Sequence, residues 1–478
     1  DTVKVTLGDS GTNGHPFVLF ARGDVTISGA DTTTQWTSDQ SLWRTKVAGP
    51  SIPHQVYALG TRYPEDQSSP NLPVGRCRYV DTGDSVYINT GGPDPRSTVA
   101  YISQDTPIQL NSVSYVHVIG FKVRYSNDDG ITGSSWNECI IANCDARFSW
   151  RQGIMFNGAN HVIVRDNTCN DNGSHGIYLV DTDSSCVVAR NTASGNDDPL
   201  LARGGVNGIR IGSPSGALPE TFITHEDTVE ANRTFKNEDS GIEIRHNYVL
   251  SRYNQSWDNH DHGFDHLSST NSTHVGDLRW GDWRDGMSFE NGSYQHAVKN
   301  CVIANNGRDP CRNDWEMEFD NSALSNLQSD YNVIWRPSYA AEPGDTILIN
   351  VRGGPQLGSG GSQCNNGNCT SYPDSCFGTL ARFKQAFASL EQHSKAAQPT
   401  FVDTGAGDFK PLSTSSVIDA ADTTVAGWAA KDARGFVRHD YATVTNTGNP
   451  AGTYRDIGPF EFDAPPGAPT LEDVSFGK

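Results

Sequence analysis

Long apolar runs are missing from these 478 residues, which excludes a transmembrane helix although the chain is long enough to bury a large core. Basic residues are few. Lys and Arg number 36 against 56 Asp and Glu, giving a net charge of −20, and a chain without a basic face is a poor partner for nucleic acid. That charge sits awkwardly with an anionic polysaccharide too, although local Arg or a bound metal can reverse the sign inside a cleft. None of the 10 Cys shows the CxxC spacing of a zinc site. Their even number and close pairs (Cys139 with Cys144, Cys301 with Cys311, then Cys364, Cys369 and Cys376) predict disulfides instead. A chain that starts at Asp1 without Met or a signal peptide adds the expectation of a mature, secreted protein. Leu ladders and Trp-Asp signatures are absent as well, so neither a leucine-rich horseshoe nor a WD-type propeller is indicated.

What is present is a repeat. Gly followed by a large apolar residue recurs at Gly130-Ile131, Gly153-Ile154, Gly176-Ile177, Gly208-Ile209, Gly241-Ile242, Gly263-Phe264 and Gly286-Met287, at intervals of 23, 23, 32, 33, 22 and 23 residues. A second phrase of β-branched residues runs out of phase with the first and ends at Asn143, Asn167, Asn191 and Asn232. Each period therefore holds at least two short alternating strands joined by Asn-, Asp- and Gly-rich turns, with no helical stretch between them. The pattern predicts an all-β fold, a parallel β-helix solenoid whose recurrent Asn side chains stack as an amide ladder. Sequons occur at Asn172, Asn232, Asn254, Asn271, Asn291 and Asn368, of which Asn232 and Asn254 fall on the expected ladder.

The chain divides into residues 1–110, an N-terminal cap with the first turns, 111–350, the regular solenoid, and 351–478, a C-terminal capping segment and tail. Within the last, residues 379–390 have the apolar spacing of a short amphipathic helix. Insertions at 195–206 and 212–228, where the period lengthens, predict loops over one rim of a cleft.

Chemistry on such a solenoid comes from side chains stacked on the outer face of one sheet. With each repeat Gly as zero, positions plus two and minus two face outward while the following Ile, Phe or Met faces the core. Position plus two reads Thr132, Met155, Tyr178, Arg210, Glu243, Asp265 and Ser288; position minus two ends in Asp239, Asp261 and Arg284. The residue just before Gly adds His175, His262 and Asp285. Asp239, Glu243, Asp261 and Asp265 are expected on two adjacent turns about 4.8 Å apart, where four carboxylates repel unless a hard, oxygen-seeking cation such as Ca²⁺ sits among them. Solvated acidic turns are the ordinary alternative, because Asp and Asn are common at such bends.

The segment Asn259-His-Asp-His-Gly-Phe-Asp265 resembles the Asn-x-Asp-Asp-Gly-Phe-Asp calcium segment of family 9 polysaccharide lyases. The resemblance continues through Asp285-Gly-Met-Ser-Phe-Glu-Asn-Gly and the stretch that starts at His296, and is only generic elsewhere. It implies a right-handed parallel β-helix, a polysaccharide substrate, and calcium held by Asp261 and Asp265 with Asp239 or Glu243 from the preceding turn. The sequence departs from the family at two positions: His262 stands where the family has a second Asp, and Ser288 where it has the proton-abstracting Lys.

β-Elimination on a uronate needs a neutralised carboxylate, a base at C5 and help for the departing oxygen. Calcium with Arg210 or Arg284 answers the first need. His262, clustered with Arg284 and Asp285, ranks as replacement base ahead of Arg284 or His175, since arginine holds its proton too tightly. A glycoside hydrolase is the alternative on the same face, with Glu243 and Asp265 near the roughly 5–5.5 Å of a retaining pair, or Asp265 and Glu318 at the wider spacing of an inverting one. His175, Tyr178, Trp257 and Trp283 are candidate substrate contacts, and Trp150, Trp280 and Trp315 further stacking platforms. A non-catalytic carbohydrate-binding solenoid and an epimerase are the remaining classes. The expectation is a secreted monomer, bound to neither nucleic acid nor membrane, acting as a calcium-dependent lyase or a hydrolase.

Overall fold

A computed structural model describes residues 3–5, 7–47, 51–180, 185–198, 205–212, 226–308, 315–337, 348–352, 375–441, 443–449 and 454–463. It comprises two compact units, Asp1–Asn247 with Asn259–Asp261, and Tyr248–Asp258 with His262–Lys478.

In the N-terminal unit each repeat Gly opens a short strand: Ile131–Ser134, Ile154–Asn157, Ile177–Val180, Ile209–Ile211 and Ile242–Ile244. These pair in parallel with Ile on Ile at every step, and each Ile is fully buried. Two more parallel ladders complete the turn, one through Ile140–Ala142, Ile163–Arg165 and Val187–Ala189, the other through Asp145–Arg147, Thr168–Asn170 and Thr192–Ser194. Three strands per turn, all parallel to their successors, is the expected β-helix. The first turn starts at once, because Val3–Val5, Phe17–Phe20 and Thr26–Ser28 already pair in parallel with Ile108–Asn111, Val116–Ile119 and Lys122–Arg124. Between these turns the chain inserts two four-stranded sheets with their own core of Trp36, Val56, Tyr63, Val86, Ile88 and Ile102.

The C-terminal unit repeats the architecture. Phe264–Leu267, Met287–Glu290, Met317–Asp320 and Ile349–Arg352 pair in parallel, and Ser375–Phe377 closes the run antiparallel. The expected helix is present but shorter, Leu380–Ala386, with the Thr379 hydroxyl accepting from the Arg382 amide at 3.3 Å. Its Phe383 packs on Phe377 and Phe319, so the helix covers the open end of this core. No helix among the described residues is long and apolar enough to cross a membrane.

Two amide ladders fix the bends of the N-terminal unit. Asn167 Nδ2 donates to Asn191 Oδ1 and Asn191 Nδ2 to Asn232 Oδ1, both at 3.0 Å. A second ladder, not apparent in the sequence, runs Asn172, Asn196, Asn237, Asn259 at 3.1, 2.9 and 2.9 Å. The residue before each ladder position is left-handed, as at Asp166, Arg190 and Ala231 with φ of 58°, 54° and 53°. Such a bend costs a non-glycine residue about 1–2 kcal/mol, and the amide bonds to both neighbouring turns offset it. Asn143 proves to be one of these bend residues, φ 54°, while Cys144 occupies the ladder position and donates its amide N–H to Asn167. The sequons at Asn172, Asn232 and Asn254 are fully buried, which excludes them as glycan acceptors in the folded protein.

The disulfide expectation is corrected. Cys77, Cys139, Cys144, Cys169, Cys186 and Cys301 are all free and buried, Cys77 in the core of the inserted sheets and the others where the repeat turns their side chains into the solenoid or onto a ladder position. Cys311, Cys364, Cys369 and the side chain of Cys376 lie outside the described residues, as do most of the expected rim loops at 195–206 and 212–228. Burial pushes the Cys139 thiol up, and those of Cys144 and Cys301 up to about 11. Alkylation followed by peptide mapping is therefore expected to label these six only after unfolding; labelling of the native protein at any of them would contradict this packing.

Candidate functional site

The outward column exists in both units. In the N-terminal unit Thr132, Met155, Tyr178, Arg210 and Glu243 stand in register on successive strands; in the C-terminal unit Asp265, Ser288, Glu318 and Asn350 do the same.

In the N-terminal unit the structure brings together His175, Tyr178, Arg210 and Glu243. Glu243 is buried and held by Arg210 at 3.0 Å, Arg245 at 2.5 Å and the Asn207 amide at 3.0 Å. His175 Nδ1 accepts from the Asn207 amide N–H, its ring edge-on to Tyr178, and Arg210 lies over the Tyr178 ring. With two guanidiniums on one carboxylate, Glu243 is already charge-matched, so this group is an ion-pair network. Asp239 and Asp261 are half-buried.

In the C-terminal unit the predicted His262, Asp265, Asp285 and Glu318 are joined by Glu290, Arg352 and Asn350. His262 Nδ1 lies 3.2 Å from Asp285 Oδ2 and its Nε2 3.8 Å from Glu290 Oε1. Asp285 is held on its other oxygen by the Trp315 backbone N–H at 2.5 Å. Ser288 donates to Glu290 at 2.8 Å. Arg352 spans two carboxyls, Nη1 at 3.2 Å from Glu290 and Nη2 at 2.5 Å from Glu318. The other Glu318 oxygen accepts from the Trp315 indole at 3.0 Å and the Asn350 amide at 3.2 Å.

These surroundings drive the two glutamates apart. Burial, reinforced by the charges of Asp285 and Glu290 and opposed by Arg352, pushes Glu318 up to about 8. Burial also works against ionisation of Glu290, but Arg352, His262 and the Ser288 hydroxyl outweigh it and hold its carboxyl below the usual range. A proton-bearing acid and an ionised carboxylate thus share one guanidinium.

Arg284 is half-buried and reaches Glu290 only as a charge. Trp283 is exposed. The other aromatic expectations change: Trp257 is buried against Phe409, Trp315 is buried as a donor to Glu318, and Tyr178 is buried under Arg210. Glu290 and Arg352 were missed because only the positions two either side of Gly and the residue just before it were read. Glu290 lies four residues after Gly286, a position not read, whereas Asp320 and Arg352, paired on the following strands, come after no repeat Gly.

Calcium does not fit these donors. Among the described residues, the ligand atoms that converge within 4.8 Å belong to His262, Asp265 and Glu290. One imidazole and two carboxylates suit a transition metal better than calcium, which takes six to eight oxygens. Glu290 is also occupied by Arg352, and Glu243 by its two arginines.

The fold defines a right-handed parallel β-helix protein, and residues 77–215 and 106–279 match the family described as right handed beta helix region. Among solved structures, XylC in complex with xylose aligns at TM-score 0.47 and 14% identity over 62% of this chain, which in turn spans only 61% of XylC. A glycoside hydrolase aligns at TM-score 0.47 and 10% identity, covering 70% of this chain and 84% of that one. Pectate lyase Pel9A aligns at TM-score 0.39 and 14% identity, covering 76% and 89%. At these identities the likeness is one of fold. No curated protein matches the chain by sequence.

Proposed function

We propose that this chain hydrolyses glycosidic bonds of a neutral polysaccharide, with Glu318 as general acid and Glu290 as general base. The supporting observation is the opposed ionisation of two carboxyls on one guanidinium, the pattern by which paired carboxylates divide acid and base roles. Glu318 donates its proton to the glycosidic oxygen as the C–O bond breaks; Glu290 takes a proton from the water whose oxygen adds to the anomeric carbon. Asp265, two strands from Glu318 in the same column, adds negative charge where the sugar becomes cationic. The two acidic neighbours of Glu318, Asp285 and Glu290, favour a neutral glycan over a uronate. A polymeric substrate accords with an extracellular setting.

One observation favours elimination as a second reading. Asp285 at His262 Nδ1 leaves Nε2 as the proton-accepting face, an arrangement that replaces the lysine missing at Ser288. A panel of neutral and uronate polysaccharides, assayed with calcium and with EDTA, separates the two. New reducing ends without unsaturated-product absorbance, unaffected by EDTA, are the expected result. Absorbance rising in step with reducing ends transfers the base role to His262, and binding without either product leaves a carbohydrate-binding solenoid.

A further inference from the structure

The N-terminal unit carries a cavity of its own, of about 460 Å³, lined by Gln104, Asp105, Asp128, Arg151, Trp150 and His54 among others. Its volume lies within the roughly 300–1,000 Å³ of small-molecule sites. The informative residue is Gln104. It is 5% exposed, and neither its Nε2 nor its Oε1 has a hydrogen-bond partner among the described residues. A buried amide left this way forfeits its hydration without compensation, so its presence beside a cavity points to a ligand that supplies both an acceptor and a donor.

The other walls restrict what that ligand is. Trp150 stacks one face on the His54 ring, centroids 5.5 Å apart at 16°, and its position is fixed. His54 is pinned in turn by Glu65 at 2.8 Å. Asp128 and Arg151 neutralise one another at 3.2 Å, so their charges do not call for an ionic ligand. Asp105 offers carboxylate oxygens as acceptors. A preformed aromatic edge, an unsatisfied primary amide and acceptor oxygens suit vicinal hydroxyls on a ring.

We propose that this cavity binds a neutral sugar residue through the Gln104 amide and the Trp150 edge, as a saccharide site separate in composition from the Glu318 cluster. The inference does not depend on hydrolysis at Glu318, and its test is read locally. Hydrogen exchange is followed at residues 104–109 and 127–128 in full-length protein carrying Glu318→Gln, with xylohexaose, cellohexaose and mannohexaose as probes and an oligogalacturonate as the charged control. At least one neutral probe is expected to protect both segments. Gln104→Leu, which keeps volume and deletes the amide, is expected to weaken that protection at least about tenfold in probe concentration, the worth of one or two hydrogen bonds. Arg151→Ala, an exposed change, serves if Gln104→Leu does not fold, and is expected to weaken it by loosening Asp128. The proposal is overturned if no neutral probe protects these segments, if the oligogalacturonate protects them better, or if protection survives in the variants.

Discussion

Glu318→Gln is expected to lower kcat for glycan cleavage by about 10²–10⁴-fold, the range for loss of a positioned general acid. Gln keeps the length and still accepts from Trp315 or Asn350, so the strand and its neighbours stay in place while the transferable proton is gone. The pH profile is the companion measurement. Glu318 must carry its proton, and with its carboxyl at about 8 the wild-type rate is expected to fall as pH rises through that value. Stability follows in the same direction. A carboxyl raised from 4.5 to about 8 is still protonated in the folded state where the unfolded chain has released its proton, so folding stability declines as pH climbs across that interval. Glu316, also pushed up to about 8 by burial, contributes with the same sign. Glu318→Gln is accordingly expected to show a shallower fall in Tm between those pH values. Wild-type turnover in the variant would remove Glu318 from the mechanism.

Phe289→Ala is expected to cost about 3–5 kcal/mol of unfolding free energy, the range for deleting a buried phenylalanine. Its ring is fully buried and stacks on Phe319 at 5.2 Å and on His266 at 4.7 Å, with His296 at 4.8 Å. Burial holds His266 and His274 well below 6.5 and His296 down to about 3, so they are folded in neutral form. The sign is opposite to that of Glu318: the unfolded chain takes up protons below about 6.5 and stability drops on the acid side. Urea titration of Phe289→Ala at neutral pH gives the first number, and its further loss of stability on the acid side is expected to be shallower, because water that reaches the imidazoles brings their folded-state pKa back toward 6.5. A loss under about 1 kcal/mol would mean that the core closes around the gap.

The solenoid was legible because its cause is local. A Gly followed by an inward Ile every 23 residues at Gly130, Gly153 and Gly176 is a direct record of strand pairing, and the outward column two residues on was read in the right phase. Asp265 was reached by that phase, His262 and Asp285 by the position just before Gly, and Glu318 as the wider-spaced partner of Asp265 in the hydrolase reading. Arg352 lies past the last repeat Gly, on the strand Ile349–Arg352, where no spacing announces it. The cysteines misled because an even count at short spacing looks the same whether the thiols are bonded or each fills a slot in successive turns. Asn143 was one residue off the ladder because the bend position also takes Asn. The cavity beside Gln104 depends on an insertion between the first two turns, a tertiary arrangement that no periodicity encodes.

The unbroken register from Ile131 to Ile154 to Ile177 has an evolutionary side. Because each turn presents its successor with the same surface that it received, a 23-residue block copied or excised at this point rejoins strand to strand with every inward residue still inward. Length is thus a variable that duplication can adjust without inventing a new interface. Gln109, Thr132 and Met155, which follow one another along this stretch, are places where a longer or shorter outward face can be sampled one turn at a time.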